Sequence, residues 1–123
     1  MSEQCKTVEI NGTKYVRADL ADMKPAAVDG LNYVIVRGDR SGVFAGYLKQ
    51  RTGREVELLN SRRIWYWQGA ASISQLAADG TSKPEGCKIP AAEPRKTVLD
   101  AIEIIDCTEK ARKSIEGVQA WAQ

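Results

Sequence analysis

The hexapeptide Arg62-Arg63-Ile64-Trp65-Tyr66-Trp67 sets two guanidinium groups beside three of the chain's eight aromatic rings. The chemistry it offers is recognition of a flat anion. An aromatic face stacks on a base at about 1–3 kcal/mol per base, while a guanidinium makes paired hydrogen bonds to phosphate oxygens. The same residues would equally fill a sheet, with the arginines left in water, and the sequence leaves core and pocket both open. Strand alternation puts Arg63, Trp65 and Trp67 on one side and Arg62, Ile64 and Tyr66 on the other, pairing charge with an aromatic on each.

Further cationic donors stand nearby. From Arg37 to Arg63 there are seven basic residues and three acidic ones, so this segment carries most of any anion-attracting field. "VRGDRSGVFAG" places Arg37 and Arg40 among glycines, where a turn could clasp a phosphate. It is neither a Walker nor a dinucleotide fingerprint, and an ordinary hairpin is the plainer meaning. Gly69-Ala70-Ala71 leads to Ser72 and a helix start, whose free N–H groups attract anions unless Ser72 simply caps them. Arg112 and Lys113 on the last helix are by default solvated charges. With Lys88 as one more donor, they complete a basic pocket begun by Arg37 and Arg63 if that helix packs across the sheet or against a second subunit.

Several function classes are disfavoured. The chain has no histidine, which removes the usual general base, triad partner and metal ligand together, and its carboxylates recur in no motif. No catalytic residue, metal or cofactor is expected. A net charge of +2 is too small for a general nucleic-acid coat. Cys5, Cys87 and Cys107 have no C-x-x-C spacing, which argues against a disulfide framework and a zinc knuckle and for a reducing compartment. "MSEQCKTVEI" carries neither a signal core nor a transit pattern, and no apolar run nears the roughly 20 residues of a membrane helix. The expectation is a cytoplasmic protein.

At 123 residues one domain, spanning 1–123, is the default. "VEINGTKYVRA" predicts an N-terminal hairpin over 1–18 turning at Asn11-Gly12. Residues 21–32 form a loop or single helical turn punctuated by Pro25 and Gly30. "YVIVRG", "GVFAGYLKQ", "REVELLN" and "RRIWYW" predict a central meander over 33–67. Ser72 and Gln75 have capping-box spacing, giving a short helix over 72–79, from about Ile73 and stopped by Gly80. "TSKPEGCKIPAAEPRK" predicts an irregular connection. "TVLDAIEII" fits either period, its β-branched residues favouring strand. A C-terminal helix over 107–118 has Asp106 or Thr108 as cap and Ala111, Ile115 and Val118 on one stripe. The expected fold is α+β, an antiparallel meander sheet with one short helix after the Trp-Tyr-Trp strand and a C-terminal helix.

The stretch from Tyr33 to Trp121 resembles a family of small phage and prophage proteins through "YVIVR", "GVFAGYL", "RRIWYW-x-GA-x-S-x-SQLA", the "CK-x-P" connection and the final "T-x-x-A-x-x-SI-x-x-V-x-x-W". It is similar to the family of Thoeris anti-defence proteins of type one, sponges for the cyclic ADP-ribose signals of bacterial TIR-domain proteins. The resemblance implies a small α+β subunit that assembles from dimers, as a dimer or trimer of dimers, and holds an intact nucleotide at subunit boundaries. For some members it implies a separate site for cyclic oligonucleotides. It would make Arg37 and Arg112 or Lys113 phosphate ligands of the first site, with Arg62 or Arg63 and Lys88 at the second. Where the family commonly has a small or polar residue after "VIVR", this chain has "GDRSG", which alters the pocket's shape.

The expected function is sequestration of a cyclic nucleotide-derived messenger by a homo-oligomer, with Arg37, Arg40, Arg62, Arg63, Trp65, Tyr66, Lys88, Arg112 and Lys113 as ligand-binding residues. The alternative is a module that binds nucleic acid or a host protein through the same surface.

Overall fold

The computed structural model describes residues 7–10, 13–16 and 27–122. Strands β1 (Thr7–Ile10) and β2 (Thr13–Val16) pair antiparallel with Ile10 opposite Thr13. The expected Asn11-Gly12 turn, Pro25 and Cys5 lie outside the described residues.

The main sheet has six strands: β3 (Ala27–Val28), β4 (Leu31–Gly38), β5 (Val43–Thr52), β6 (Glu55–Arg63), β7 (Glu93–Val98) and β8 (Ala101–Asp106). All neighbours are antiparallel, in the order β3-β4-β5-β6-β7, and β8 also pairs with β4. Helices α1 (Ile73–Asp79) and α2 (Glu109–Gly117) complete an α+β fold. No helix among the described residues is long and apolar enough to cross a membrane.

Strand β4 contains Tyr33-Val34-Ile35-Val36, all fully buried, because both faces of the sheet are covered. A strand so placed carries a continuous apolar run instead of alternation. Tyr33, Ile35, Ala45 and Tyr47 pack against Leu76 and Ala77 of α1 and Ala111 and Ile115 of α2. Val34, Val36, Phe44, Val56, Leu58 and Val98 form a second core on the other face.

That second core exists because the sheet curls. β7 and β8 lie at opposite sides of the β4-β5-β6 centre, yet only Leu99 and Asp100 separate them. Three chain steps reach no further than about 11 Å, whereas four strand spacings of a flat sheet span about 19 Å. The edges therefore meet: the Ala101 N–H donates to the Arg54 carbonyl at 3.0 Å, beside β6, while Ala101 pairs with Gly38 at the end of β4.

Three expectations change, the first within residues 21–32, where Ala27–Val28 pairs with Leu31–Asn32 as a short hairpin in place of a loop or helical turn. "REVELLN" and "RRIWYW" are not two strands: Glu55–Arg63 is continuous through Asn60, whose φ of 48° and the register shift opposite it mark a bulge. Residues 93–96 are strand, not irregular connection; Pro94 is tolerated because β7 is an edge that pairs only with β6. The strand favoured for "TVLDAIEII" does form, in two pieces separated by Leu99-Asp100.

Candidate functional site

Pairing between β5 and β6 ends at Phe44 and Arg63, with one further bond from the Ile64 N–H to the Val43 carbonyl at 2.8 Å. The Trp-Tyr-Trp segment thus leaves the sheet, and the expected alternation stops at Ile64. Its backbone turns instead to Lys88, whose carbonyl accepts from Trp65 N at 3.0 Å and whose N–H donates to the Tyr66 carbonyl at 2.7 Å. Trp67 is half-buried, donating from Nε1 to the Ala70 carbonyl at 3.2 Å. Trp65 and Tyr66 remain 64% and 46% exposed. The Lys88 ammonium stands 5.8 Å from the Tyr66 ring centroid and 5.6 Å from that of Trp121, which is anchored by its N–H to the Ile89 carbonyl. The result is two exposed aromatic side chains, one of them, Tyr66, with a cation near its ring.

Gly69 makes this loop possible. Its φ is 83°, and a Cβ there would sit 2.6 Å from both the Ser82 and Lys83 backbone nitrogens. Ser72 accepts from the Gln75 N–H at 3.2 Å and Gln75 Oε1 accepts from the Ala71 N–H at 2.7 Å, so the start of α1 supplies its own neutral acceptors. It is a cap and not the anion site considered above.

Arg62 is a correction. It is buried, with Nη1 donating to the Ile115 carbonyl at 2.7 Å, Nη2 to Ile89 at 2.7 Å and Nε to Pro90 at 2.9 Å. Burial lowers its pKa below the ordinary value. Its donors tie β6 to the end of α2, leaving it no role as a free phosphate ligand. Arg63 points to the opposite face, where its Nη1 donates to the Ser41 carbonyl at 2.8 Å and its guanidinium lies over Phe44.

The Arg37-to-Gly42 turn is filled by an internal anion. Asp100 Oδ2 accepts from the Arg40 N–H at 2.8 Å and the Ser41 N–H at 3.1 Å, and Oδ1 from the Ser41 hydroxyl at 2.5 Å. The Ser41 hydroxyl bond first, then the Arg40 N–H, hold the Asp100 carboxyl below the usual carboxylate range. A Cβ at Gly38 would collide with the Ser41 hydroxyl and lie 2.8 Å from Asp100 Oδ1. The donors that could have clasped a phosphate are occupied, which makes this the plainer hairpin. The Arg40 side chain projects outward, and Arg37 pairs with Glu103 at 3.0 Å on the exposed surface.

Arg112 is likewise engaged. It pairs with Glu109 at 2.5 Å and Glu116 at 2.6 Å and donates to the Tyr47 hydroxyl at 3.4 Å. Its bond to Glu109 raises its pKa and depresses that of Glu109. Burial, then the hydrogen bond to Glu116, raises the Tyr47 phenol. Lys113 is exposed, 4.0 Å from Glu109. Tyr47 lies opposite Tyr33, four residues from Arg37 on β4 and so about 13 Å along the strand. Arg37 and Arg112 therefore belong to separate clusters, and the joint pocket of Arg37, Arg63 and Arg112 does not form within one chain.

A family described as a domain of unknown function (DUF6948) matches residues 31–115. The chain belongs to that family. The match takes in β4 through most of α2 and leaves the N-terminal hairpin and Trp121 outside. No curated protein and no solved structure matches the chain.

Phe44 and Lys96, which sequence reasoning did not single out, lie together with Arg63 on the face away from the helices. Each stands in a strand whose sheet face decides its surroundings, and Lys96 lies in the segment read as irregular. Period-two reading of "EPRKTV", which puts Lys96 and Val98 on one face, was the available signal. Cys87 and Cys107 are buried free thiols; burial, then the charge of Asp106, pushes Cys107 up to about 12, where it is inert. Among the described residues no three Cys, Asp or Glu side chains converge as a metal site.

Proposed function

We propose that this chain is a phage anti-defence protein that binds a cyclic nucleotide-derived messenger, of the cyclic ADP-ribose type, and holds it uncleaved. The observation that carries the reading is the exposure of Trp65 and Tyr66, 64% and 46%, with the Lys88 ammonium 5.8 Å from the Tyr66 ring centroid. A globular chain gains nothing by leaving an indole in water, whereas a base stacked on it gains about 1–3 kcal/mol. The resemblance in the "RRIWYW" to "SQLA" block supports the messenger class.

Side chains this exposed enclose nothing by themselves, and a nucleotide needs a concave site that buries most of its surface. A second copy of the chain would supply the opposing wall, with exposed Lys113 or Arg37 as phosphate donors across the boundary. The homo-oligomer is thus part of the proposal, as a dimer or trimer of dimers.

The test is to incubate the protein with the signal of a TIR-domain protein, remove free ligand by gel filtration, heat the protein and weigh what is released. Intact messenger supports the reading; none, or a linearised product, defeats it. Light scattering that gives a monomer mass at micromolar concentration defeats the oligomer. Binding that falls steeply with salt would instead favour a polynucleotide partner.

A further inference from the structure

The face of the sheet opposite the helices carries a basic cluster that joins Arg40 and Arg63 to Lys96, away from Lys88 and Arg112. Arg63 and Lys96 both lie over the ring of Phe44, each 4.6 Å from its centroid. Two points at that radius are no more than about 9 Å apart, so the two charges belong to one cluster. Lys96 has one carboxylate partner, Glu93 at 2.5 Å, whereas Arg63 has none among the described residues and donates to the Ser41 carbonyl. Arg40 stands at the lip with no carboxylate partner among them. Asp100 also lines the site, but its oxygens accept from the Arg40 and Ser41 N–H groups and the Ser41 hydroxyl.

These residues surround an open cleft of about 540 Å³, whose remaining wall is Thr97, Val98 and Leu99. Leu99 is 71% exposed, an apolar lip beside three cations. That volume falls in the range of small-molecule sites. The cations call for phosphate, and the lip calls for an apolar remainder that bare phosphate lacks.

We propose that this cleft binds a nucleoside diphosphate or a close relative, its phosphates bridging Arg63 and Lys96 with Arg40 closing over them, and its nucleoside against Leu99. The proposal stands apart from the messenger reading: Ile64, Cys87 and Ile89, which flank Trp65 and Lys88, pack into the helix-side core, not this one.

Calorimetric titration with ADP, and in parallel with inorganic pyrophosphate, tests it. Saturable ADP binding is expected, weaker by at least about tenfold in Lys96→Gln and in Arg63→Gln, unchanged in Lys110→Gln on the exposed side of α2, and tighter than pyrophosphate binding. Melting curves of both charge variants establish that they fold; if Arg63→Gln does not, Lys96→Gln and Arg40→Gln decide. Absence of saturable binding, an affinity unchanged in the folded charge variants, or pyrophosphate binding as tightly as ADP would overturn it.

Discussion

The Arg62 guanidinium donates through Nη1 to the Ile115 carbonyl at 2.7 Å, joining a central strand to the last turn of α2 inside the protein. The same group holds the Ile89 and Pro90 carbonyls, so one side chain fixes three segments distant in sequence.

Arg62→Met keeps much of the stem's volume but strands those carbonyls. Each unsatisfied buried acceptor costs about 1–3 kcal/mol, so the expected loss is roughly 3 kcal/mol or more. Urea denaturation measures it, and a loss below about 1 kcal/mol would show that the tie contributes little.

Asp100 makes the fold acid-sensitive at the β4–β5 turn. Its folded pKa lies below its ordinary value of 3.8, so the folded state favours the ionised form. The resulting stability is present above the unfolded pKa and is lost as pH falls through the lower folded value. Asp100→Asn should therefore melt earlier than the natural chain near neutrality, and the gap should close below about pH 4. A gap constant from pH 6 to pH 2.5 would mean that carboxylate charge has no part in the clasp.

Gly69→Ala should lower stability by about 1–3 kcal/mol, because the substitution strains a positive φ and drives a methyl into the Ser82–Lys83 backbone. Indole fluorescence would report displacement of the Trp-Tyr-Trp loop. An unchanged melting temperature would remove the strain argument.

Elements with a local signal were legible. Ser72 and Gln75 carry their cap spacing in four residues, and the "YVIV" run declares a strand buried on both faces. What depended on distant partners was not. Arg62 and Arg63 are adjacent and alike, yet one is buried among three carbonyls and the other stands over Phe44, because a strand sends neighbours to opposite faces and only the fold decides what each face meets. Alternation assigned the opposite sides correctly but could not reveal that β5 runs out at Val43, freeing Trp65 and Tyr66 from the sheet. Nor does sequence show that Asp100, sixty residues from Arg40, fills the turn that a phosphate might have occupied.

Trp65→Ala separates binding from folding. The indole is 64% exposed and its backbone bonds survive the substitution, so stability should change by no more than about 0.5 kcal/mol. If the indole stacks a base, messenger affinity should fall by about 1–3 kcal/mol, roughly five- to 150-fold. Tyr66→Ala should act in the same direction and less cleanly, since the Tyr66 hydroxyl also accepts from Gln68 Nε2 at 3.1 Å. Calorimetry and melting curves on the same samples decide: unchanged affinity with unchanged stability removes Trp65 from the site, and a large stability loss would mean that the indole is covered in solution by a neighbouring copy of the chain.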